Sequence, residues 1–484
     1  MSGVEPLAPG PTALDARRTG RSTLFALAAT ALDKGGAMVM LLLIARLLGA
    51  EDFGRYAALM AWLALFQVAA EFGQEPVLVR LLAQERSEEV APLVQGALAM
   101  RIVCAAAVGA LLVSAGGAVL PAVGRVPLVL AAAGLMAGYG LALRALFRTA
   151  QRLEWLCVTA LAGLGAFAGV LLVARAFGLG VAGAVGAWAA GQLAASLAAV
   201  RLAAVLVAPW PRWRGRVTAL LARSGWALAL NGFLLTVTLR VGQLIVLRAE
   251  GPAAVGYLAA GSRLAEAFAL IPESLMLVLL PVLSATDRDA RESQRMISAQ
   301  AVRYLALLAL AVIVAVSIAA PTLLRALFGP AYVAGAPALR ILAWLALLAA
   351  SGSVFTNLLI ARRLERLLLV LNAAGSVLTL ALSLVLVPCA GFVGAAAATL
   401  IASVAAQAIL LVVPATRSEV AACLRPLVWP VFLAAALTLG AAAVPGSRPA
   451  VAAVALVAFA AGILVTRTVG PDDWVLLRRV LQRT

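Results

Sequence analysis

Long apolar stretches separated by short polar loops run along the whole chain. Each stretch is roughly 20 residues long, the length that an α-helix needs to cross the hydrocarbon core of a bilayer. Fourteen such stretches begin near Thr23, Tyr56, Leu93, Val126, Trp155, Val181, Ala219, Ala254, Ile297, Ala338, Leu367, Phe392, Pro426 and Ala450. The pattern predicts an all-α polytopic membrane protein with about 14 transmembrane helices.

Arginine is concentrated in every second loop. The predicted inner loops carry clusters of arginines, whereas the outer loops hold scattered single ones such as Arg125 and Arg175. Positively charged loops stay on the cytoplasmic side of a membrane. We therefore expect both termini in the cytosol and an even number of helices.

Composition narrows the class of protein further. Hydrophobic residues make up 64% of the chain, charged residues 12%, and the mean hydropathy is +1.05. The net charge of +17 comes from arginines that lie between apolar segments, so nucleic acid is not an expected partner. The chain has no histidine, and its four cysteines lack the spacing of metal ligands. We expect no metal, no cofactor and no catalytic residue.

An internal repeat relates the two halves of the chain. A shift of 202 positions aligns Gly54 with Gly256 and Glu71 with Glu273, and a slightly different shift aligns the Gly-x-x-Gly-Ala runs that begin at Gly180 and Gly391. We interpret this as a duplication of six helices. The predicted segments are a cytoplasmic tail 1–21, an N-lobe 22–208, a basic inter-lobe loop 209–218, a C-lobe 219–413, two extra helices in 414–468 and a cytoplasmic tail 469–484.

Ionisable side chains inside the apolar stretches are the candidate functional residues. Each costs about 2.5–3.5 kcal/mol at mid-membrane, so each should face protein or water. Asp33 and Lys34 lie near the expected midplane of the first helix. The seventh and eighth predicted helices add Asn231, Arg240, Gln243, Arg263, Glu266 and Glu273. We expect these residues to line a hydrated central cavity.

Glu71 and Glu75 form a separate candidate site near the inner end of the second predicted helix. Two neighbouring carboxylates repel each other, which favours proton uptake and makes them candidates for ion coupling. A structural interpretation stays open for these charges. Glu75 can pair with Arg80 at the interface, and Arg263 with Glu266 can form a bridge that fixes helix packing.

Four stretches of the sequence resemble the polysaccharide transporter family of oligosaccharide flippases, which belongs to the multidrug/oligosaccharidyl-lipid/polysaccharide (MOP) superfamily. The main one is Ala45-Arg46-Leu47-Leu48-Gly49-Ala50-Glu51-Asp52-Phe53-Gly54-Arg55-Tyr56, within Leu41–Glu75. The others are Val255–Pro281, Leu327–Tyr332 and Gly391–Ala395, and the resemblance extends to about residue 413. Arg46 of the main stretch is counted with the cavity residues. Relatives often carry an acidic residue near the position of Gln243.

The resemblance implies a MOP-type fold, with two six-helix lobes around a cavity that opens alternately to each side, plus two extra helices. It implies a flippase that moves an undecaprenyl-pyrophosphate-linked oligosaccharide across the bacterial inner membrane for polysaccharide biosynthesis, with no covalent chemistry. Cations such as Lys34, Arg240 and Arg263 would neutralise the pyrophosphate. The implied partners are this glycolipid, membrane lipids, and a polysaccharide polymerase and co-polymerase.

Other functions stay open at this point. A multidrug exporter of the same superfamily is the main alternative, although twelve helices and an aromatic-rich pocket would be expected of it. Lipid II is an alternative substrate. A membrane-embedded glycan polymerase or ligase would need a long outer loop, and all loops here are short. A non-transporting scaffold would not need charges at mid-membrane.

Overall fold

A computed structural model describes residues 13–84, 87–284, 291–361, 364–443 and 448–465. Within these ranges the regular structure is entirely helical, which confirms the predicted all-α class. The helices are α1 (Ala13–Glu71), α2 (Gln74–Gln84), α3 (Ser87–Val119), α4 (Arg125–Ala137), α5 (Arg144–Thr149), α6 (Leu153–Ala176), α7 (Gly180–Ala203), α8 (Gly215–Glu250), α9 (Pro252–Ser284), α10 (Arg291–Leu327), α11 (Ala336–Leu342), α12 (Leu345–Ala361), α13 (Glu365–Val412), α14 (Pro414–Leu424), α15 (Val428–Ala443) and α16 (Arg448–Val465). Short 3-10 helices lie at Gly138–Leu143, Pro330–Gly335 and Arg425–Leu427.

Among the described residues, nine helical segments are long and apolar enough to cross a membrane, and Ala450–Ile463 is a shorter apolar helix. One of the nine, Arg366–Val412, is 47 residues long and contains a break at Gly391, so it can supply two spans. α1 contains a similar break at Gly49. The protein is therefore a multi-pass membrane protein, while the count of 14 helices stays a prediction.

The described residues divide into two compact units. The first is drawn from Met1–Leu48 and Trp62–Phe233, and the second from Gly49–Ala61 and Leu234–Thr484. α1 and α8 each contribute residues to both units, because a long helix can pack against different neighbours along its length. The units therefore differ from the predicted lobes, whose boundaries stay a prediction.

Small residues bring helices of the first unit into close contact. A methyl group at Gly191 of α7 would lie 2.9 Å from the carbonyl oxygen of Gly163 in α6, so only glycine fits at this crossing. Helix association in membranes depends on such close approach, because lipid removes the hydrophobic drive between helices. Val77, Leu98 and Phe147 from α2, α3 and α5 are buried together in one apolar cluster of this unit.

The second unit is organised around α10. Its buried residues Val302 and Leu305 belong to an apolar cluster with residues of α12, α13 and α14, and α15 and α16 also pack against α10. A second core is aromatic: the ring centroid of Phe53 lies 5.7 Å from that of Tyr332 and 6.2 Å from that of Phe328. Two of the stretches that carry the family resemblance therefore meet in this core.

Three pairs of glycines repeat the same backbone feature in the two halves of the chain. Gly49 and Gly251, Gly124 and Gly329, and Gly180 and Gly391 all have positive φ, and a helical segment begins at or directly after each one. Residues with a Cβ rarely adopt this conformation. The spacing within each pair is close to the repeat offset found in the sequence, which supports the predicted duplication.

A reciprocal backbone contact lies next to the first of these pairs, inside the second unit. A Cβ at Gly54 would overlap the carbonyl oxygen of Pro252, and a Cβ at Gly256 would overlap the carbonyl oxygen of Ala50. Ala50 and Pro252 are themselves equivalent in the repeat. Each helix therefore contributes an equivalent glycine and an equivalent carbonyl oxygen to the contact. Such a self-complementary contact is what a two-fold relation produces.

Candidate functional site

Three charged side chains form a connected cluster in the second unit, which we name the arginine triad: Arg240, Arg263 and Glu266. Arg240 of α8 donates two hydrogen bonds to the Glu266 carboxylate, from Nη1 to Oε1 at 2.8 Å and from Nη2 to Oε2 at 3.3 Å. Arg263 lies one turn before Glu266 on α9, and its Nη1 donates to Oε2 at 3.0 Å. One carboxylate therefore serves two guanidinium groups.

The triad lies about half the thickness of a hydrocarbon core away from the turn at Gly251. Arg240 is ten residues before the end of α8 and Arg263 is eleven residues after the start of α9, so both lie about 15 Å from the turn at Gly251 at the rise of an α-helix. A hydrocarbon core is about 30 Å thick. The sequence predicted Arg263 next to Glu266 from their spacing, but it did not predict the bond from Arg240.

The side chains of the two arginines in the triad differ in their exposed fraction. The side chain of Arg240 is 11% exposed, whereas those of Arg263 and Glu266 are 30% and 33% exposed. Arg240 is held by two hydrogen bonds and Arg263 by one. A ligand would therefore reach Arg263 more easily than Arg240.

In the first unit, Asp33 forms an ion pair with Arg144, whose Nη2 donates to Oδ2 of Asp33. Arg144 is the first residue of α5. The neighbouring Lys34 is exposed, in line with the 100° turn between successive residues of a helix. Asp33 and Lys34 therefore have different surroundings.

Glu71 and Glu75 each have an arginine partner in the first unit. Arg101, a buried residue of α3, donates from Nη2 to Oε1 of Glu71 at 3.1 Å, and Gln67 donates to the same oxygen at 3.1 Å. Glu75 lies 2.7 Å from Nη1 of Arg148. The structural alternative named Arg80 as the partner of Glu75, but the ion pair is made with Arg148. These contacts balance the two carboxylates, so their role in ion coupling stays a prediction.

The remaining candidate residues differ in how far they are buried. Gln243 is 3% exposed in α8, and Arg46 is exposed on α1. Asn231 of α8 belongs to the first unit and is half-buried. Glu273 is in α9, but its side chain lies outside the described part of the structure.

Solved structures with a similar fold are membrane transporters and flippases. "Lipid II flippase MurJ" in an inward closed conformation has a TM-score of 0.68 and 14% identity over 90% of this chain and 98% of that one. An inward-facing "multidrug resistance MATE family transporter of the MOP superfamily" has a TM-score of 0.63 and 14% identity over 83% and 99%. The eukaryotic MATE transporter AtDTX14 has a TM-score of 0.57 and 13% identity over 84% and 98%. The chain thus has the MOP-type fold that the sequence predicted.

The family is also established. Residues 19–287, more than half of the chain, match the family described as "Polysaccharide biosynthesis protein". The chain belongs to this family, which confirms the resemblance found in the sequence. No curated protein sequence matches the chain significantly.

Proposed function

We propose that the protein is a flippase that moves an undecaprenyl-pyrophosphate-linked oligosaccharide across the bacterial inner membrane by alternating access. The observation that carries the proposal is the arginine triad. Its two guanidinium groups and one carboxylate leave one net positive charge about half the thickness of a hydrocarbon core away from the turn at Gly251. The family description, polysaccharide biosynthesis, supports a glycan as the cargo.

The excess of one positive charge among these described side chains is expensive for a purely structural role. A cation at mid-membrane costs about 2.5–3.5 kcal/mol on the lenient insertion scale. A helix-fixing bridge would need only one arginine for one carboxylate. The extra guanidinium group is useful if an anion shares the site for part of the transport cycle.

A pyrophosphate group suits the exposed member of the triad. Guanidinium groups bind phosphate oxygens through paired hydrogen bonds, and these charge-assisted bonds are roughly twice as strong as neutral ones. Arg263 has the access and the donors for this contact, while Arg240 holds Glu266 in place. The head group would bind at Arg263, and the prenyl tail would stay in lipid.

The described ion pairs give the other predicted residues supporting roles. Asp33 with Arg144, and Glu71 with Arg101, are balanced pairs that carry no net charge to attract an anion. Lys34 and Arg46 stay candidates for contacts to the head group. Inner-membrane location, cytosolic termini, and a polymerase and co-polymerase as partners stay part of the proposal.

Deletion of the protein tests the direction of transport. We expect lipid-linked oligosaccharide to accumulate in the cytoplasmic leaflet, where a membrane-impermeant glycosidase cannot reach it in intact spheroplasts. Accumulation of unpolymerised units in the outer leaflet would contradict the proposal and indicate a polymerase. Loss of drug resistance with normal surface glycan would indicate a multidrug exporter.

A further inference from the structure

A short segment between α7 and α8, residues 208–214, is held against α3 by a single buried residue. We name it the strap. The side chain of Gln95 donates from Nε2 to the carbonyl oxygen of Ala208 at 3.2 Å and accepts from Nη2 of Arg214 at 3.3 Å. The backbone oxygen of Gln95 accepts from the amide of Arg212 at 3.3 Å. Both ends and the centre of the strap are therefore fixed, although the strap itself is not helical.

The strap carries two tryptophans whose side chains are exposed on the outside of the protein. The side chains of Trp210 and Trp213 are 65% and 62% exposed. The strap lies between two helices that are long and apolar enough to span a membrane, Gly180–Ala203 and Gly215–Glu250, so we place it at a membrane surface. Tryptophan is enriched at that depth, because its ring suits the apolar edge and its N–H suits the head groups.

The sequence on both sides of the strap carries arginines and no acidic residue. Arg212, Arg214 and Arg216 lie in or next to it, with Arg201 and Arg223 on the flanking helices, and no aspartate or glutamate occurs between Glu154 and Glu250. All five arginines are exposed. Anionic lipids attract such clusters with a gain of roughly fivefold in affinity per arginine.

We infer that the strap is a binding site for anionic phospholipid head groups of the adjoining leaflet. Loop arginines that only set membrane orientation need no fixed conformation. Here Gln95 is buried to hold the segment, and the tryptophans stand beside the arginines that would bind the phosphate. The site anchors the first unit to anionic lipid, and it does not depend on the proposed transport function.

Native mass spectrometry of the purified full-length protein tests the site. Dioleoyl-phosphatidylglycerol and dioleoyl-phosphatidylcholine, which have the same acyl chains, are titrated separately, and the bound lipid is counted. We expect the wild type to retain phosphatidylglycerol preferentially. The variant R212Q/R216Q should reduce this affinity at least about tenfold. The matched control R175Q/R325Q, with two exposed arginines elsewhere, should leave it unchanged.

The variant Q95A separates a built site from simple loop charge. It keeps every arginine and tryptophan but releases the strap, so it should also reduce the preference for phosphatidylglycerol. Equal retention of the two lipids by the wild type, an unchanged preference in R212Q/R216Q, or an unchanged preference in Q95A would each overturn the inference. Loss of undecaprenyl pyrophosphate binding with unchanged phosphatidylglycerol binding would assign the strap to another lipid and would also overturn it. Size-exclusion profiles and thermal unfolding identify any variant that fails to fold.

Discussion

Replacing Gly256 by alanine should destabilise the protein, because the first turns of two repeat-related helical segments touch there through their backbones. The new methyl group would overlap the carbonyl oxygen of Ala50, which belongs to a helix and cannot rotate away as a side chain can. Overpacking of this kind typically costs about 1–3 kcal/mol. We expect the upper part of this range, since both partners are backbone.

Gly165 provides a matched control. It also lies within a long helix, α6, but a methyl group there would meet nothing within 4 Å. Alanine is favoured over glycine in helices by up to about 1 kcal/mol. The variant G165A should therefore be neutral or slightly stabilised, so the same chemical change has opposite expected signs at the two positions.

Apparent thermal stability in detergent, followed by tryptophan fluorescence, measures the difference. We expect a lower midpoint for G256A and G54A than for the wild type. The double variant should lose less than the sum of the two single losses, because the first methyl group already separates the helices and makes room for the second. A midpoint for G256A equal to that of G165A would refute the contact, and strictly additive losses would refute its reciprocity.

Three further predictions concern the charged clusters and a helix cap. Asp33→Ala should lower stability by about 1–2 kcal/mol by leaving Arg144 without its carboxylate, and adding Arg144→Gln should restore part of the loss in the same unfolding assay. Glu250→Ala should lower the free energy of unfolding by about 0.5–2 kcal/mol, because Glu250 accepts a 2.8 Å hydrogen bond from the amide of Phe392 at the Gly391 break. Glu250→Gln keeps an acceptor, so it should lower the free energy of unfolding by less. Equal losses in the two variants would show that the hydrogen bond is unimportant. Arg240→Ala should lower both stability and transport, whereas Arg263→Ala should lower transport with little effect on stability; the reverse pattern would contradict the roles assigned within the triad.

The helical fold was predictable because apolar length and helical spacing are local properties. Thirteen of the fourteen predicted starts fall in a described α-helix, and the other one, Pro426, falls in a 3-10 helix. The repeat was also visible in the sequence. A backbone position with positive φ favours glycine, so equivalent positions in the two halves both carry it. At the motif residue Gly54, a Cβ would overlap the carbonyl oxygen of Pro252, which explains why this position is glycine.

Ion-pair partners were not predictable to the same extent. Arg263 and Glu266 are three residues apart on one helix, so their contact follows from the helical period. Arg240 with Glu266, Asp33 with Arg144, and Glu71 with Arg101 join different helices, and the period of a single helix carries no information about which neighbour it meets. Arg101 was overlooked although an arginine inside an apolar stretch is itself a signal.

Transport by Arg263 variants tests the central claim most directly. Proteoliposomes containing the purified protein and undecaprenyl-pyrophosphate-linked oligosaccharide are treated with an impermeant glycosidase, which digests only outward-facing lipid unless flipping exposes the rest. We predict that R263A transports at about a tenth of the wild-type rate or less, that R263K recovers part of it, and that the control R175A transports normally. A folded R263A protein that transports at the wild-type rate would contradict the account.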